Sequence, residues 1–409
     1  MSAFRSLRGR DYRIWAAGAL VSNIGAWMQR TAQDWVVLAE LTHKDARALG
    51  WVIALQFAPQ LLLLPVTGWA ADHLDRRKLL LATQAAQGLL ALTLGLLVIT
   101  GAARLWHVYG LALLLGCVGA LDAPARLAFV SSLVPEADLP SAVALNSTSF
   151  NAARMVGPAA AGALIAAVGS GWAFLFNAAS FVAVIASLLV LRPTDPRLGA
   201  RPRPGRGGLV DGFRYVWSRS DLKALLLMLF LVGTFGMNYP IFISTMSVNV
   251  FHAGARQFGL LTSTMAIGSI VGALLSARRD NPDMRLLRLA ATAFGAGFAV
   301  AAVMPNYWLF GLLLVGVGLA AQTFTTSINA MVQLSTEPAM RGRVMAILMA
   351  VALGGAPLGA PFVGWVAHTF GPRWALGVAA LAGFGAALVA LAHDRRGGRR
   401  QAHAPAPKP

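Results

Sequence analysis

Two long apolar runs, 49–71 and 79–100, flank the charged sequence Asp72-His73-Leu74-Asp75-Arg76-Arg77-Lys78. Each run is long enough to cross a bilayer as a helix, because about twenty apolar residues cover the hydrocarbon core. The charged sequence is then a tight loop between two spans. The same alternation recurs along the chain. It predicts twelve spans, at 14–38, 49–71, 79–100, 105–125, 141–167, 171–191, 222–248, 257–277, 286–304, 307–330, 343–368 and 372–393.

The longest break in the apolar pattern runs from 192 to 221. It divides the chain into a first six-helix half (1–191), a basic cytoplasmic linker (192–221), a second six-helix half (222–393) and a tail (394–409) expected to be disordered and cytoplasmic. Arg201, Arg203 and Arg206, interleaved with Pro202, Pro204 and Gly205, make the linker flexible and disposed to lie on anionic lipid. Within it, 211–219 reads as a short amphipathic helix, with Phe213 and Trp217 spaced to face the membrane interface. The halves carry traces of a repeat. Leu133, Glu136 and Val143 match Leu334, Glu337 and Val344 at one constant offset, and Gly162 and Gly169 match Gly364 and Gly371 one residue later.

Composition extends this reading to the whole chain. With 57% hydrophobic and 12% charged residues among 409, and a mean hydropathy of +0.64, no large soluble domain is left over. A net charge of +18 would suggest nucleic acid for a soluble protein. Here the basic residues fall in alternate loops. With both termini inside, about 27 of the 34 Lys and Arg are cytoplasmic and about five external, the asymmetry of the positive-inside rule. The expected location is therefore a bacterial inner membrane, with both termini in the cytoplasm and no nucleic-acid partner. The apolar stretch after Arg5, Arg8, Arg10 and Arg13 is too long for a signal-peptide core and has no cleavage site. The single Cys117 excludes a disulfide framework and a Cys-based metal site. There is no P-loop, no His/Glu metal spacing and no nucleophile elbow. The expectation is no enzymatic activity, no cofactor and no metal, with a small molecule, protons and membrane lipid as partners of a monomer.

Ionisable residues inside spans are costly in a bilayer and are functional candidates by default. Arg30 and Asp34 lie one turn apart on one face of the first span. Arg154 lies in the fifth span and Asp122 near the cytoplasmic end of the fourth. The second half offers Asn238, Gln322 and Asn329 as cavity-lining candidates, and no buried acid. A proton relay therefore belongs in the first half. Asp34 would load and release the proton while Arg30 or Arg154 tunes its affinity. The alternative is a permanent Asp34–Arg30 ion pair that braces the helix. Trp27, deep in the first span, either lines a cavity for a flat or greasy ligand or packs the core.

Gly68, Asp72, Arg76 and Arg77 have spacing that resembles motif A of the major facilitator superfamily, with His73 and Asp75 standing where Arg and Gly are usual. The resemblance implies a gate in which Arg76 contacts Asp122 and Asp72 faces the start of the eleventh span near Arg343. In the second half Ser276 stands at the Asp position, so the gate is expected to be asymmetric. Gly157-Pro158 followed by Gly162 resembles motif C, which is associated with export; its last glycine is one residue late. Physically, this sequence bends a helix and lets neighbours pack closely. The arginine of motif B is absent near Ala112. Trp27-Met28-Gln29, Leu121-Asp122-Ala123-Pro124-Ala125-Arg126, Ala144-Leu145-Asn146-Ser147, Ala153-Arg154-Met155-Val156-Gly157-Pro158, Phe174-Leu175-Phe176-Asn177 and Arg341-Gly342-Arg343-Val344 together resemble the transmembrane secretion effector branch. The resemblance implies an all-α membrane protein with the major facilitator fold, twelve transmembrane helices in two six-helix halves. It also implies export of a small organic molecule (siderophore, drug or metabolite) by alternating access with proton antiport. A facilitator or importer, and a non-transporting receptor, are the alternatives.

Overall fold

A computed structural model describes residues 5–64, 66, 67, 70, 74–191, 209–279 and 281–402. Every regular element among them is a helix. Gly68, Asp72 and His73 of the charged loop, and the basic stretch 192–208, lie outside the described residues. Among the described residues, ten helices are long and apolar enough to cross a membrane. Two more complete the twelve expected spans: α1, Arg10–Trp35, which carries Arg30 and Asp34, and α2, Ala46–Leu62, which is shorter.

The chain forms two compact units. The first comprises Met1–Pro204 with Ile243–Ala266. In it α1 continues as a π-helical turn, Val36–Leu41, and is followed by α2, α3 (Arg76–Ile99), α4 (Leu105–Ser132), α5 (Leu139–Val168) and α6 (Gly171–Val190). Side-chain caps begin two of these helices. Asp45 accepts from the backbone N–H of Arg47 at α2, and Asp75 accepts from that of Lys78 at α3. The Asp75 that departs from the motif A pattern is therefore the N-cap of α3. One apolar cluster ties the helices together where α1 begins and α4 and α6 end, with Tyr12, Trp15, Leu80, Phe129, Val184 and Leu188 buried in it. Tyr12 places its hydroxyl on the carbonyl of Ala142, so burying the ring leaves no orphaned polar group.

The stretch Ile243–Ala266, the end of the seventh span and the start of the eighth, packs with this first unit, so the compact units and the sequence halves differ there. The cause is close backbone approach. A Cβ on Gly162 would sit 2.5 Å from the carbonyl oxygen of Ala255 and 3.1 Å from the Cα of Gly259. Trp35 also stacks on Phe258, ring centroids 6.1 Å apart.

The second unit comprises Gly205–Phe242 and Ile267–Pro409. It opens with α7 (Leu209–Ser218), the amphipathic helix expected within the linker, which leaves Phe213 and Trp217 exposed. The seventh span follows as α8 (Ser220–Leu231), a π-helical turn (Val232–Gly236) and α9 (Tyr239–Thr245), which runs on past the unit boundary. The remaining spans are α10 (Ala255–Ala277), α11 (Met284–Ala302), α12 (Tyr307–Ser335), α13 (Arg341–Thr369) and α14 (Pro372–Ala402). The last helix continues beyond residue 393 to Ala402. An ion pair from Arg288 to Asp394, at 2.8 Å, fixes its first extra turn to α11.

Candidate functional site

A polar cavity of about 80 Å³ lies wholly within the first unit. Gln29, Arg30 and Gln33 enter it from α1, Gln56 and Gln60 from α2, and Gln87 from α3. Leu115 and Gly119 of α4 and Asn177 and Phe181 of α6 complete its wall. The glutamines come in turn-spaced pairs, Gln29/Gln33 and Gln56/Gln60, so each helix presents both amides on one face. Asn177 Nδ2 donates to the side-chain Oε1 of Gln29 at 2.5 Å, which fixes the orientation of both amides. The side-chain nitrogen of Gln87 is buried and has no hydrogen-bond partner.

Arg30 is exposed although it lies mid-span. Its guanidinium sits over the ring of Trp27 at 5.1 Å and near that of Phe57 at 6.0 Å. Aromatic faces stabilise the cation without using its N–H donors. Arg30 and Asp34 close no ion pair, since none of the salt bridges among the described residues joins them. Trp27 stands beside this cation and meets Phe150 edge-on, centroids 5.6 Å apart, without lining the cavity. Gly157 makes this position of Trp27 available. A Cβ there would lie 2.6 Å from Trp27 Cβ and 3.1 Å from the carbonyl oxygen of Ile24, so α5 rests directly on α1. Gly157 and Pro158 are buried, and Arg154, one turn before Pro158, is half-buried.

A second cluster surrounds Asp122, which is 7% exposed. One carboxylate oxygen accepts from the Thr83 hydroxyl at 2.7 Å and the Gln84 amide at 2.6 Å; the other accepts from Arg126 Nε at 3.2 Å. Arg126 is also 5.8 Å from the centroid of Trp15. In this structure Asp122 pairs with the arginine one turn along α4, and no salt bridge among the described residues joins it to Arg76, the contact that the motif resemblance implies for a gate. Thr83, Gln84 and Arg126 are functional candidates that the sequence reading did not single out. Arg77 has a different contact. Its Nε and Nη2 donate to the carbonyls of Leu188 and Leu189 at 2.9 and 3.0 Å, at the C-terminus of α6.

The second-unit candidates are placed separately. Asn238 is buried and donates to the carbonyl of Thr234, at 2.7 Å, across the π-helical break of the seventh span. Asn329 donates to the carbonyl of Thr325 at 3.0 Å, and its side-chain oxygen is buried without a partner. Gln322 is half-buried on α12. Arg343 lies 4.0 Å from Asp211 of α7, a contact outside the motif pattern. Among the described residues no cluster of His, Cys, Asp and Glu is spaced to hold a metal ion.

A family model described as transmembrane secretion effector matches residues 1–406. Curated relatives match across most of the chain. The enterobactin exporter EntS of Citrobacter koseri is 25% identical, covering 87% of this chain and 84% of its own. The staphyloferrin A transporter of Staphylococcus aureus is 26% identical over 85% and 87% of the two chains. The multidrug efflux pump Tap of Mycolicibacterium fortuitum is 26% identical over 86% and 88%. Among solved structures, a bacterial homologue of the human lysosomal transporter Spinster superimposes with a TM-score of 0.77 at 15% identity, covering 94% of this chain and 97% of that one. The nucleoside transporter NupG gives 0.72 at 14% identity, over 93% and 98%. At such identities the structural likeness establishes the fold, twelve helices of the major facilitator type.

Proposed function

The chain belongs to the transmembrane secretion effector family of major facilitator transporters, and on that premise we propose that it exports a small organic molecule from the cytoplasm by proton antiport. One observation carries the direction. Two relatives matched over more than four-fifths of the chain, the enterobactin exporter and the multidrug efflux pump, are named for export. The cargo class is accordingly a siderophore, a drug or a comparable metabolite. The setting is a bacterial inner membrane with both termini cytoplasmic, which accounts for the basic loops. The protein works as a monomer.

In this reading Asp34 carries the exchanged proton, and Arg30 and Arg154 bias its occupancy. Alternating access needs a latch that closes in one state and opens in the other. Gly68, Asp72, Arg76, Arg77 and Asp122 form that latch, and the Asp122–Arg126 pair is the resting contact of its acid. Gly157, Pro158 and Gly162 let the fifth span pack closely and bend. Trp27, Asn238, Gln322 and Asn329 face cargo in at least one state.

The test is transport in inverted membrane vesicles, with a catechol siderophore, a hydroxycarboxylate siderophore and a fluorescent cationic drug as cargo. Accumulation that collapses on adding a proton uncoupler is expected for at least one. Accumulation of any of them that ignores the uncoupler refutes antiport, and no accumulation of any refutes export.

A further inference from the structure

We propose that the glutamine-lined cavity of the first unit is a carboxylate subsite, in which Arg30 grips an acidic group of the cargo and the surrounding amides read its hydroxyl or amide neighbours. The inference rests on the export reading and adds the chemical class of what is exported.

The lining sets the polarity. Six carboxamides and one guanidinium face the space, with no acidic side chain among them. Asp34, the nearest acid on the same helix face, neither lines the cavity nor closes an ion pair with Arg30. The centroids of the Trp27 and Phe57 rings lie 5.1 and 6.0 Å from the guanidinium carbon of Arg30, and no salt bridge among the described residues takes up its N–H groups. A guanidinium held this way is suited to the two parallel hydrogen bonds of a carboxylate. Arg30 is the one cation in the lining, so it balances a single negative charge. A phosphate or sulfate dianion would remain under-neutralised.

The amides supply the second part. The buried side-chain nitrogen of Gln87 is a donor aimed at nothing in the protein. Leaving such a group unsatisfied is costly, and a ligand oxygen would relieve that cost. Gln29 and Asn177 are tied to each other, so they form a fixed wall. Gln56 and Gln60 on the opposite helix offer both donors and acceptors. Such a surface pairs with the alternating hydroxyl, carbonyl and amide groups that flank a carboxylate in hydroxy acids and acylated amino acids.

Size sets the limit. A drug-sized ligand needs a pocket of roughly 300–1,000 Å³, whereas this space is about 80 Å³. That is room for roughly six waters. It seats one carboxylate with its adjoining polar group, an arm of the cargo and not its whole body.

The experiment uses the full chain in nanodiscs of phosphatidylethanolamine and phosphatidylglycerol. Equilibrium binding is measured for radiolabelled citrate, benzoate and N-acetylglutamate. Their neutral counterparts, triethyl citrate, benzamide and N-acetylglutamine amide, serve as competitors, together with inorganic sulfate. At least one carboxylate should bind saturably at one site and resist its neutral counterpart and sulfate by tenfold or more. Arg30→Lys, which keeps the charge and loses the fork, should weaken it at least tenfold. Gln87→Leu should weaken it about three- to tenfold, and Arg30→Gln should remove it. Gel filtration and the detergent unfolding midpoint verify that each variant is folded; if Arg30→Gln is not, Arg30→Lys and Gln87→Leu decide. The subsite is refuted if no carboxylate binds, if sulfate competes as well as a carboxylate, or if folded Arg30 and Gln87 variants bind like the parent. Export measured in vesicles separates the two readings. Export without carboxylate binding removes the subsite alone, and carboxylate binding without any export removes the export reading alone.

Discussion

Replacing Asp122 by Asn keeps the shape of the side chain and removes its charge. The Asn carbonyl can still accept from Thr83 and Gln84, now at 2.7 and 2.6 Å. Its NH2 group then points at Arg126 Nε, so a donor faces a donor where a charged bond of 3.2 Å stood. A hydrogen bond to a charged group is worth about 1.5–3 kcal/mol. The side chains of Arg126 and Asp122 are 18% and 10% exposed, so screening by solvent is slight and the near-zero value of surface pairs does not apply. One effect holds the loss below the roughly 3–5 kcal/mol of a fully buried broken pair: Arg126 keeps its contact with the Trp15 ring, 5.8 Å away. The expected destabilisation is about 1.5–3 kcal/mol. Equilibrium unfolding in mixed detergent micelles measures it, in a cycle with Arg126→Gln and the double variant. A coupling energy of about 1–2 kcal/mol should appear, with the double variant more stable than the sum of the singles allows. Asp122→Asn within 0.5 kcal/mol of the parent, or strictly additive singles, would refute the assignment of this pair as a structural clamp.

Asp34→Asn should abolish the pH dependence of vesicle transport while leaving expression unchanged; an unaltered pH profile removes Asp34 from coupling. Asp72→Asn should lower transport at least fivefold with near-normal membrane insertion, and full activity would leave Asp72 a topogenic charge only. Gly157→Leu should cost about 1–3 kcal/mol of stability, because even its Cβ would lie 2.6 Å from that of Trp27; an unchanged detergent unfolding midpoint would show that α1 and α5 separate freely. Asp211→Asn should cost less than about 1 kcal/mol, because its contact with Arg343 is long and half-exposed; a larger loss would mean that α7 is held mainly by that pair.

The spans were legible because each must satisfy its own backbone and present an apolar surface, two demands that leave a long uniform run in the sequence. The caps and clamps were less so. Asp75 looked like a defect in a motif, yet an aspartate just before an apolar helix is an ordinary N-cap. Asp122 was singled out as a buried acid, but its partner was sought in the loop resemblance when Arg126 stood one turn away on the same helix. The cavity was missed for a different reason. Formal charge is what makes a residue conspicuous within an apolar span, and glutamine carries none. The signal was present all the same: turn-spaced pairs at Gln29/Gln33 and Gln56/Gln60, then Gln84 and Gln87, on three successive spans. Uncharged amides repeated at helical spacing inside apolar runs mark a shared polar interior, since each must find a partner away from lipid.

The same reasoning gives the missing second copy of the charged loop a physical sense. Every helix ends with carbonyls that have no intrahelical partner, and in an apolar setting these must be satisfied. In the first unit Arg77 does so for α6, donating to Leu188 and Leu189. In the second unit Ser276 replaces the motif aspartate, and cations close the end of a different span, the tenth. Arg219, just after α7, donates to the carbonyl of Ser335 at 3.2 Å, and Arg341 donates to that of Gln333 at 3.1 Å, both at the end of α12. Arg219 is itself oriented by Asp221 at 2.7 Å, and the hydroxyl of Tyr215 on α7 accepts from the backbone N–H of Glu337. The end of the amphipathic helix, through Tyr215 and the adjoining Arg219, thus shares with Arg341 the closing contacts of this span. A cation from outside the helix meets the exposed end of a span in both units, from the first turn of α3 in one and from Arg219 after α7 and Arg341 at the start of α13 in the other. The requirement for a capped helix end is common to the two; the residues that meet it are not, which is why a search for a repeated motif finds only half of the arrangement.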